Sequence, residues 1–126
     1  KRAVLAIRNS LVAEAVSHAL QKAGMEVQKS SAQDAGRILT LCDALLAHLL
    51  VMDVTRTDEG TFDRRMDIAG KAKAQDAAIR VILLCDNVSD SEDAYRIKQA
   101  KEEGRIDAFF YESVPSDYLA DAIDAL

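Results

Sequence analysis

Tryptophan is absent from this 126-residue sequence, and its aromatic residues are limited to three phenylalanines and three tyrosines. None of the six precedes Phe62, so the first half of the chain must pack mainly on aliphatic side chains and methionine. Hydrophobic residues make up 49% and charged residues 29% of the chain. That balance is typical of one ordinary globular domain and excludes a disordered or collagen-like chain.

Cysteine, glycine and long apolar runs are also scarce. The two cysteines, Cys42 and Cys85, each lie within an apolar run, which favours buried reduced thiols over a disulfide framework and fits a cytoplasmic protein. The five glycines stand singly, so the sequence has no glycine-rich phosphate loop. The longest apolar run, 44–52, is interrupted by His48 and is far shorter than the ~20 residues that span a bilayer. We therefore expect no membrane insertion.

Basic residues are outnumbered, with 16 Lys and Arg against 21 Asp and Glu, for a net charge of -5. This deficit argues against direct nucleic-acid binding, which depends on Lys and Arg contacts to phosphates. His18 and His48 have no partners at metal-ligand spacing, and no serine or cysteine sits in a nucleophile-elbow motif. Because the sequence starts at Lys1 and stops within a helical pattern, we expect residues 1–126 to be a single domain excised from a longer protein.

Hydrophobic periodicity predicts five strands alternating with five helices. The strands are expected at 2–7, 25–29, 48–54, 79–85 and 106–111, and the helices from 11, from 31–33, over 61–75, from Ser89 or Ser91 to about 103, and from 116. The first helix is expected to bury an apolar face of Leu11, Val12, Ala15, Val16, Ala19, Leu20 and Ala23. Strict alternation with near-continuous apolar strands predicts a flavodoxin-like α/β three-layer sandwich, with a five-stranded parallel sheet of order 2-1-3-4-5.

In such a sheet, ligands bind beyond the carboxyl ends of the strands, where the strand order reverses. The residues predicted to surround that point are Arg8, Asn9, Asp53, Thr55, Cys85, Asp86 and Glu112. They follow the first, third, fourth and fifth predicted strands, so the topology is expected to bring them together.

These strand ends resemble the CheY-like receiver domains of two-component response regulators over essentially the whole chain. The resemblance rests on Leu-Val-Met-Asp-Val at 50–54, Val-Ile-Leu-Leu-Cys at 81–85, Asp-Ala-Phe-Phe-Tyr-Glu-Ser at 107–113 and Pro-Ser-Asp-Tyr-Leu at 115–119. It implies that Asp53 is equivalent to the residue that accepts a phosphoryl group from a partner histidine kinase with the help of Mg²⁺. It also implies an attached output domain, which in a DNA-binding response regulator would carry the contact with nucleic acid.

The sequence departs from that family at the residues that assist the phosphoacceptor. The acidic pair after the first strand is replaced by Ile and Arg at 7 and 8, or by Arg and Asn at 8 and 9. Cys85 stands at the family's Thr or Ser position and Glu112 at its Lys position. We therefore predict a degenerate pocket in which the Arg8 guanidinium occupies the metal's place beside Asp53. Such a pseudo-receiver would bind no cofactor, would hold Mg²⁺ poorly and would signal rather than catalyse.

The resemblance also implies that the face formed by the fourth helix, fifth strand and fifth helix is an interaction surface. Phe109 falls at the family's aromatic switch position, and Tyr95 is predicted to be exposed beside it. The fifth helix carries Asp117, Asp121 and Asp124 on one side, whereas the fourth offers Arg96, Lys98 and Lys101. This face is predicted to form a homodimer or to bind a partner protein through acid-to-base contacts, although a solvated charged face fits the same pattern.

Two other interpretations of the strand ends remain open. Asp53 fits equally a strand-end carboxylate in a salt bridge. Asp53, Asp86 and Glu112 also place three carboxylates at neighbouring strand ends, which is typical of a metal site. The alternative function is therefore a flavodoxin-like domain that binds a small ligand or a metal, or an enzyme that uses these carboxylates.

Overall fold

The computed structural model of the chain describes residues 1–86 and 91–126. Its strands are β1 (Arg2–Ala6), β2 (Glu26–Lys29), β3 (Leu49–Asp53), β4 (Arg80–Cys85) and β5 (Ala108–Tyr111). Its helices are α1 (Ser10–Lys22), α2 (Ala35–Leu45), α3 (Phe62–Gln75), α4 (Ser91–Glu102) and α5 (Ser116–Asp124), with a short 3-10 turn at Asp58–Gly60. Ser89, one of the two predicted caps of the fourth helix, lies outside the described residues.

The strands form one parallel sheet in the order β2-β1-β3-β4-β5, which confirms the predicted topology. The central strand β3 is buried at every position, and β4 is buried at every position but its first. Continuous apolar runs suit these strands because both of their faces are covered by helices.

Two separate hydrophobic cores lie on opposite faces of the sheet. Leu50 of β3 packs on one side with Ile38 of α2 and Ile97 of α4. Its neighbour Val51 packs on the other side with Leu20 of α1. Successive residues of a strand point to opposite faces, so one strand supplies both cores and the fold has the predicted three layers.

Side-chain caps set the starts of the first two helices. The Asn9 side-chain oxygen accepts hydrogen bonds from the backbone N–H groups of Leu11 (3.0 Å) and Val12 (3.2 Å) and so caps α1. The second helix begins later than expected, because Asp34 is its cap and accepts the Arg37 N–H at 3.0 Å.

The predicted buried face of α1 is wrong at Leu11, Ala15 and Ala23, all of which are exposed. Leu11 is 81% exposed, and the buried side chains of the helix are Ala13, Val16, Ser17, Ala19 and Leu20. The buried stripe is therefore rotated by about one position, because α1 packs against both the sheet and α5. An exposed leucine is left at the start of the helix.

Two expectations from composition can be compared with the fold. Cys42 and Cys85 are both free and buried, as predicted, and burial raises the pKa of the Cys42 thiol to about 11. Within residues 1–86 and 91–126, no helix is both long enough and apolar enough to cross a membrane.

Candidate functional site

A cavity of about 240 Å³ opens at the carboxyl ends of β3, β4 and β5. Its walls are formed by Asn9, Asp53, Val54, Thr55, Arg56, Cys85, Asp86, Asp93, Ile97 and Glu112. All the residues predicted to surround the switch point line this cavity except Arg8. Arg56 and Asp93 were not predicted, and Asp93 belongs to α4, whose approach to the cavity only the tertiary structure defines.

Asp53 ends β3 and is almost completely buried, with 2% of its surface exposed. Its Oδ2 accepts the backbone N–H of Arg8 at 3.0 Å, and its Oδ1 accepts a hydrogen bond from Arg65 Nη2 at 3.0 Å. Both carboxylate oxygens are therefore engaged within the chain. The salt-bridge interpretation of Asp53 describes this geometry.

The cation beside Asp53 is Arg65 of α3, which is fully buried. Besides the Asp53 carboxylate, its guanidinium donates to three backbone carbonyl groups: Asp53 (2.8 Å), Ala32 (3.0 Å) and Ala6 (3.2 Å). One side chain thus joins the ends of β1 and β3 to the segment before α2. A buried charge is tolerated only when it is paired and hydrogen-bonded in this way.

The charge of Arg65 is set by opposing effects. Burial lowers the pKa of the guanidinium, whereas Asp53 and, to a smaller extent, Glu59 raise it. Because an arginine starts from a pKa far above neutrality, the group stays protonated at neutral pH. The site therefore holds a permanent positive charge against the Asp53 carboxylate.

The prediction that Arg8 supplies this cation is wrong. Only its backbone N–H reaches Asp53, while its guanidinium donates to Thr57 Oγ1 at 3.1 Å. Arg8 lies beyond the end of β1 in an exposed position, where its charged group keeps its hydration. The predicted neutralisation of the pocket from within is present, but α3 provides the cation.

A signal for Arg65 was present in the sequence. The apolar face of α3 includes Phe62, Met66 and Ala69, and Arg65 lies three residues after the first and four before the last. An arginine at a position whose helical neighbours are all buried has no route to solvent and must find acceptors inside. The acceptors themselves could not be identified from the helix alone.

The loop after β3 closes on itself beside the cavity. The Thr55 N–H donates to the Gly60 carbonyl at 2.7 Å, and Thr55 Oγ1 donates to the Thr57 carbonyl at 3.1 Å. A Cβ atom on Gly60 would lie 2.0 Å from Thr55 Oγ1, so only glycine fits this position. The loop therefore holds Thr55 at the cavity by its own internal hydrogen bonds.

The side of the cavity formed by β4 and β5 carries negative charge. Partial burial raises the pKa of Glu112, and the carboxylates of Asp53 and Asp86 raise it further. Burial also raises the pKa of the Cys85 thiol to about 12, with Glu112 and Asp93 adding to the effect. Cys85 is therefore a packed thiol without nucleophilic character at neutral pH.

The residues of this cavity do not fit a Mg²⁺ ion. Over residues 1–86 and 91–126, no three His, Cys, Asp or Glu side chains converge as a possible ligand set. The metal site considered for Asp53, Asp86 and Glu112 is therefore contradicted by the geometry. Mg²⁺ prefers several oxygen ligands, and each Asp53 oxygen already accepts an N–H donor, one of them from a guanidinium whose positive charge repels a metal cation.

The predicted interaction face is present around α4, β5 and α5. Phe109 is partly buried against the core beneath α4, and its ring meets Tyr111 edge-on with centroids 6.4 Å apart. Tyr95 is 67% exposed, as predicted. Asp117 and Asp121 are exposed on α5. The structure places these residues on the surface, and their role there remains a prediction.

Arg96 is not available to that face in the way the sequence suggested. Its guanidinium stacks 4.4 Å from the centre of the Phe62 ring and forms an ion pair with Asp63, both of which belong to the start of α3. The stacked cation holds α4 against α3. Lys98 and Lys101 are left as exposed basic residues of α4.

No protein-family model matches this chain, and no curated protein sequence matches it either. Solved structures do match along nearly its full length. A response regulator receiver domain protein from Clostridium thermocellum is 19% identical, with a TM-score of 0.76, over 98% of this chain and 91% of that one. A LuxR-family two-component response regulator from Aurantimonas sp. SI85-9A1 is 21% identical, with a TM-score of 0.73, over 98% and 82% of the two chains.

A third similar structure is the response regulator protein TrrA from Thermotoga maritima, solved in complex with Mg²⁺ and BeF. It is 18% identical to this chain, with a TM-score of 0.73, and the match covers 99% of this chain and 97% of TrrA. The predicted resemblance to receiver domains is therefore confirmed in the fold. TrrA was solved with Mg²⁺, whereas within the described part of this chain no three His, Cys, Asp or Glu side chains converge as a possible ligand set.

Proposed function

We propose that this domain is a signal receiver of the response-regulator type that works without Mg²⁺-dependent phosphorylation. The observation that carries the proposal is the buried ion pair between Arg65 and Asp53. In this proposal the domain is a pseudo-receiver that acts by protein contacts on an attached output domain, and it binds partners rather than turning over a substrate.

The chemistry of phosphoryl transfer supports this proposal. A carboxylate that attacks a phosphoryl group must present an accessible oxygen, and the charge on the transferring oxygens must be neutralised by a metal and other cations. Both oxygens of Asp53 accept N–H groups, and the side chain is 2% exposed. Glu112 adds negative charge where a cation would be needed.

In this proposal the ion pair between Arg65 and Asp53 takes the place of phosphorylation by a kinase at the carboxyl ends of the strands. Arg65 bonds the ends of β1 and β3 whether or not a kinase is present. Contacts with a histidine kinase would accordingly be regulatory contacts without phosphoryl transfer. The α4–β5–α5 face, with Tyr95 and the aspartates of α5 exposed, is the proposed surface for a homodimer or a partner protein.

The test is incubation of the domain with Mg²⁺ and a small acyl phosphate, with incorporation measured by intact mass spectrometry. We expect no more phosphate on the protein than on an Asp53→Asn variant. Stable phosphorylation that depends on Asp53, at the rate of an ordinary receiver, would overturn the proposal.

A gain-of-function series sharpens this test. Arg8→Asp, Asn9→Asp and Glu112→Lys together restore the two acids and the cation that the resemblance implies, and Asp remains a good helix cap at position 9. We expect this triple variant to stay unphosphorylated while Arg65 is present. Adding Arg65→Met should permit phosphorylation of Asp53, provided that circular dichroism shows a folded domain.

The cavity beside Asp53 favours a second candidate, a flavodoxin-like domain that binds a small ligand. Its volume of about 240 Å³ suits a compact molecule, and its lining combines charged side chains such as Asp53 and Glu112 with apolar ones such as Val54 and Ile97. A ligand that binds the folded state must raise its melting temperature. A rise of melting temperature with one nucleotide, at constant pH, would favour this candidate over the receiver proposal.

A further inference from the structure

The side of α3 that is turned away from the sheet is exposed to solvent. Its residues recur at intervals of three or four and so lie in one stripe along the helix. This stripe, called here the outer face of α3, consists of Asp63, Asp67, Gly70, Lys71 and Ala74. Together with Met66 and Arg105 it lines a shallow hollow of about 480 Å³, which shares no residue with the cavity beside Asp53.

Gly70 lies in the middle of the outer face, where the fold of a single chain has no need of a glycine. Its backbone is helical, and a Cβ atom added to it would meet no other part of the chain within 4 Å. A glycine inside a helix lowers the stability of that helix relative to alanine. The missing side chain lets a second helix come close, because the distance between packed helices depends on the side chains at their contact. Gly70 therefore becomes favourable when another surface packs against α3.

The charges of the outer face are divided along the helix. Asp63 and Asp67 lie in its first half, and Lys71 lies in its second half. Asp63 already pairs with Arg96 of α4, which leaves Asp67 and Lys71 as the charges of this face most open to a partner. Lys71 Nζ lies 3.0 Å from Asp67 Oδ2 within the helix, but the two side chains stay 62% and 59% exposed. An exposed pair of this kind contributes little within one chain, so both groups can exchange partners at low cost.

A two-fold axis across the middle of α3 makes the outer face complementary to itself. When two copies of a helix pack antiparallel about such an axis, each residue faces the residue that lies equally far on the other side of the axis. An axis at the level of Ala69 places Asp67 of each copy opposite Lys71 of the other. It also brings the two Gly70 residues to the crossing point. Opposite charges then meet around a crossing where no side chain keeps the helices apart.

We propose that the outer face of α3 binds the same face of a second copy of this domain, in an antiparallel two-fold dimer. The helix has 14 residues and is therefore about 21 Å long, which is less than the surface of a standard protein interface provides. The isolated domains are accordingly expected to associate weakly, with a Kd on the order of 100 µM. The inference goes beyond the proposed function, since it depends on neither Asp53 nor phosphoryl transfer, and it leaves the α4–β5–α5 face to a partner protein.

The experiment measures self-association by sedimentation equilibrium, from about 10 µM to about 1 mM protein. Asp67→Lys places a lysine opposite Lys71 of the second copy, and Lys71→Asp places two aspartates opposite each other. Each variant alone should associate at least about tenfold more weakly than wild type. An equimolar mixture of the two variants should dimerise at least as tightly as wild type, because both pairs across the axis then join opposite charges. The double variant should also regain the wild-type affinity, for the same reason.

Matched variants separate this contact from general effects of net charge. Glu14→Lys and Lys29→Glu make the same changes of net charge in another exposed ion pair, which joins α1 to β2. Neither should weaken the dimer by more than about twofold, and their mixture should not exceed the affinity of wild type.

A pair of glycine substitutions tests the crossing point. Gly70→Gln should weaken the dimer at least about tenfold, because the new side chain holds the two helices apart while the single chain has space for it. Gly36→Gln adds the same side chain to an exposed glycine in the first turn of α2, where a Cβ atom meets Asp34 Oδ1 at an ordinary 3.5 Å. It should leave the affinity unchanged. Circular dichroism shows whether each variant is folded.

Several results would overturn the inference. Wild type that remains monomeric at about 1 mM has no such contact. A dimer that persists unchanged in the Asp67, Gly70 and Lys71 variants uses another surface, and equal effects of the α3 variants and their controls would reflect net charge alone. A mixture of Asp67→Lys and Lys71→Asp that associates no better than either variant would exclude the antiparallel arrangement. None of these measurements involves phosphoryl transfer, so failure here and failure of the phosphorylation test are distinguishable.

Discussion

Two clusters of charged side chains lie at opposite ends of the strands and differ in their contact with water. One lies at the carboxyl ends of the strands, called here the carboxyl edge, and the other at their amino ends, called the opposite edge. At the carboxyl edge, the Arg65 and Asp53 side chains are 0% and 2% exposed. At the opposite edge, Asp107 accepts hydrogen bonds from Lys73 Nζ (2.9 Å) and from the Val81 N–H (2.8 Å), yet the Asp107 and Lys73 side chains remain 16% and 24% exposed. The first pair is closed to solvent and the second is not.

This difference determines what each cluster contributes. A fully buried pair is costly to desolvate, and each partner then depends on the other for its remaining stabilisation. When one partner of a partly solvated pair is removed, water can take its place, so the pair contributes little to the stability of the fold. We infer that the carboxyl edge sets the conformation of the domain and that the opposite edge only fastens β4 to β5.

The largest effect is expected for Arg65→Met. The substitution strands the Asp53 carboxylate and three backbone carbonyls without their donor, and we expect a loss of about 3–5 kcal/mol in the free energy of unfolding. Urea denaturation measures the loss. A loss below about 1 kcal/mol would show that water replaces the guanidinium and that the site is open.

The control for Arg65 is the double variant that adds Asp53→Asn. Neutralising the stranded carboxylate should restore part of the stability. The sum of the stability losses of the two single variants should therefore exceed the loss of the double variant. Additive losses would mean that Arg65 acts through its carbonyl contacts and not through Asp53.

A smaller effect is expected for Asp107→Asn, about 1–2 kcal/mol near neutral pH. Burial by itself raises the pKa of Asp107, but hydrogen bonds from Lys73 and Val81 outweigh burial and bring the pKa below its ordinary value. The stabilisation by Asp107 is therefore present above the ordinary carboxyl pKa and is lost as the pH falls through the lower folded-state value. Urea denaturation near neutral pH and at about pH 3 should show the difference from wild type shrinking in acid.

A loss of stability for Asp107→Asn that is as large as that of Arg65→Met would contradict the comparison of the two edges. An acid-independent loss would mean that Asp107 acts through shape and not through charge.

The smallest effect, and one of opposite sign, is expected for Glu112→Gln. The pKa of Glu112 is raised in the folded state, so ionisation of this group destabilises the fold as the pH rises through that value. The variant should be more stable than wild type near neutral pH, by less than about 1 kcal/mol because the group is partly solvated, and equal to it in acid. Thermal denaturation across this pH range provides the measurement, with Glu102→Gln as the exposed control.

A destabilised Glu112→Gln variant would show that Glu112 has a favourable partner in the folded state. It would then no longer be the unbalanced charge that distinguishes the carboxyl edge from the opposite one.

The sequence by itself determined the strand order, the two-sided burial of the sheet and the place of Asp53 at the end of β3. These features follow from the period of the apolar residues and from the rules that govern parallel β-α-β units. Both need only the order of strands and helices along the chain. The resemblance to receiver domains implied in addition that the family's usual acids and cation are missing, because residue types at strand ends can be compared without knowing where their side chains point.

Only the tertiary structure decided which cation meets Asp53. Arg8 is close to Asp53 through the strand order, but its side chain remains in solvent, whereas Arg65 reaches the carboxylate from another element across the core. Periodicity places an arginine on a buried helix face without specifying the angle at which the helix crosses the sheet. That angle decides the acceptors, and with them the charge of the site.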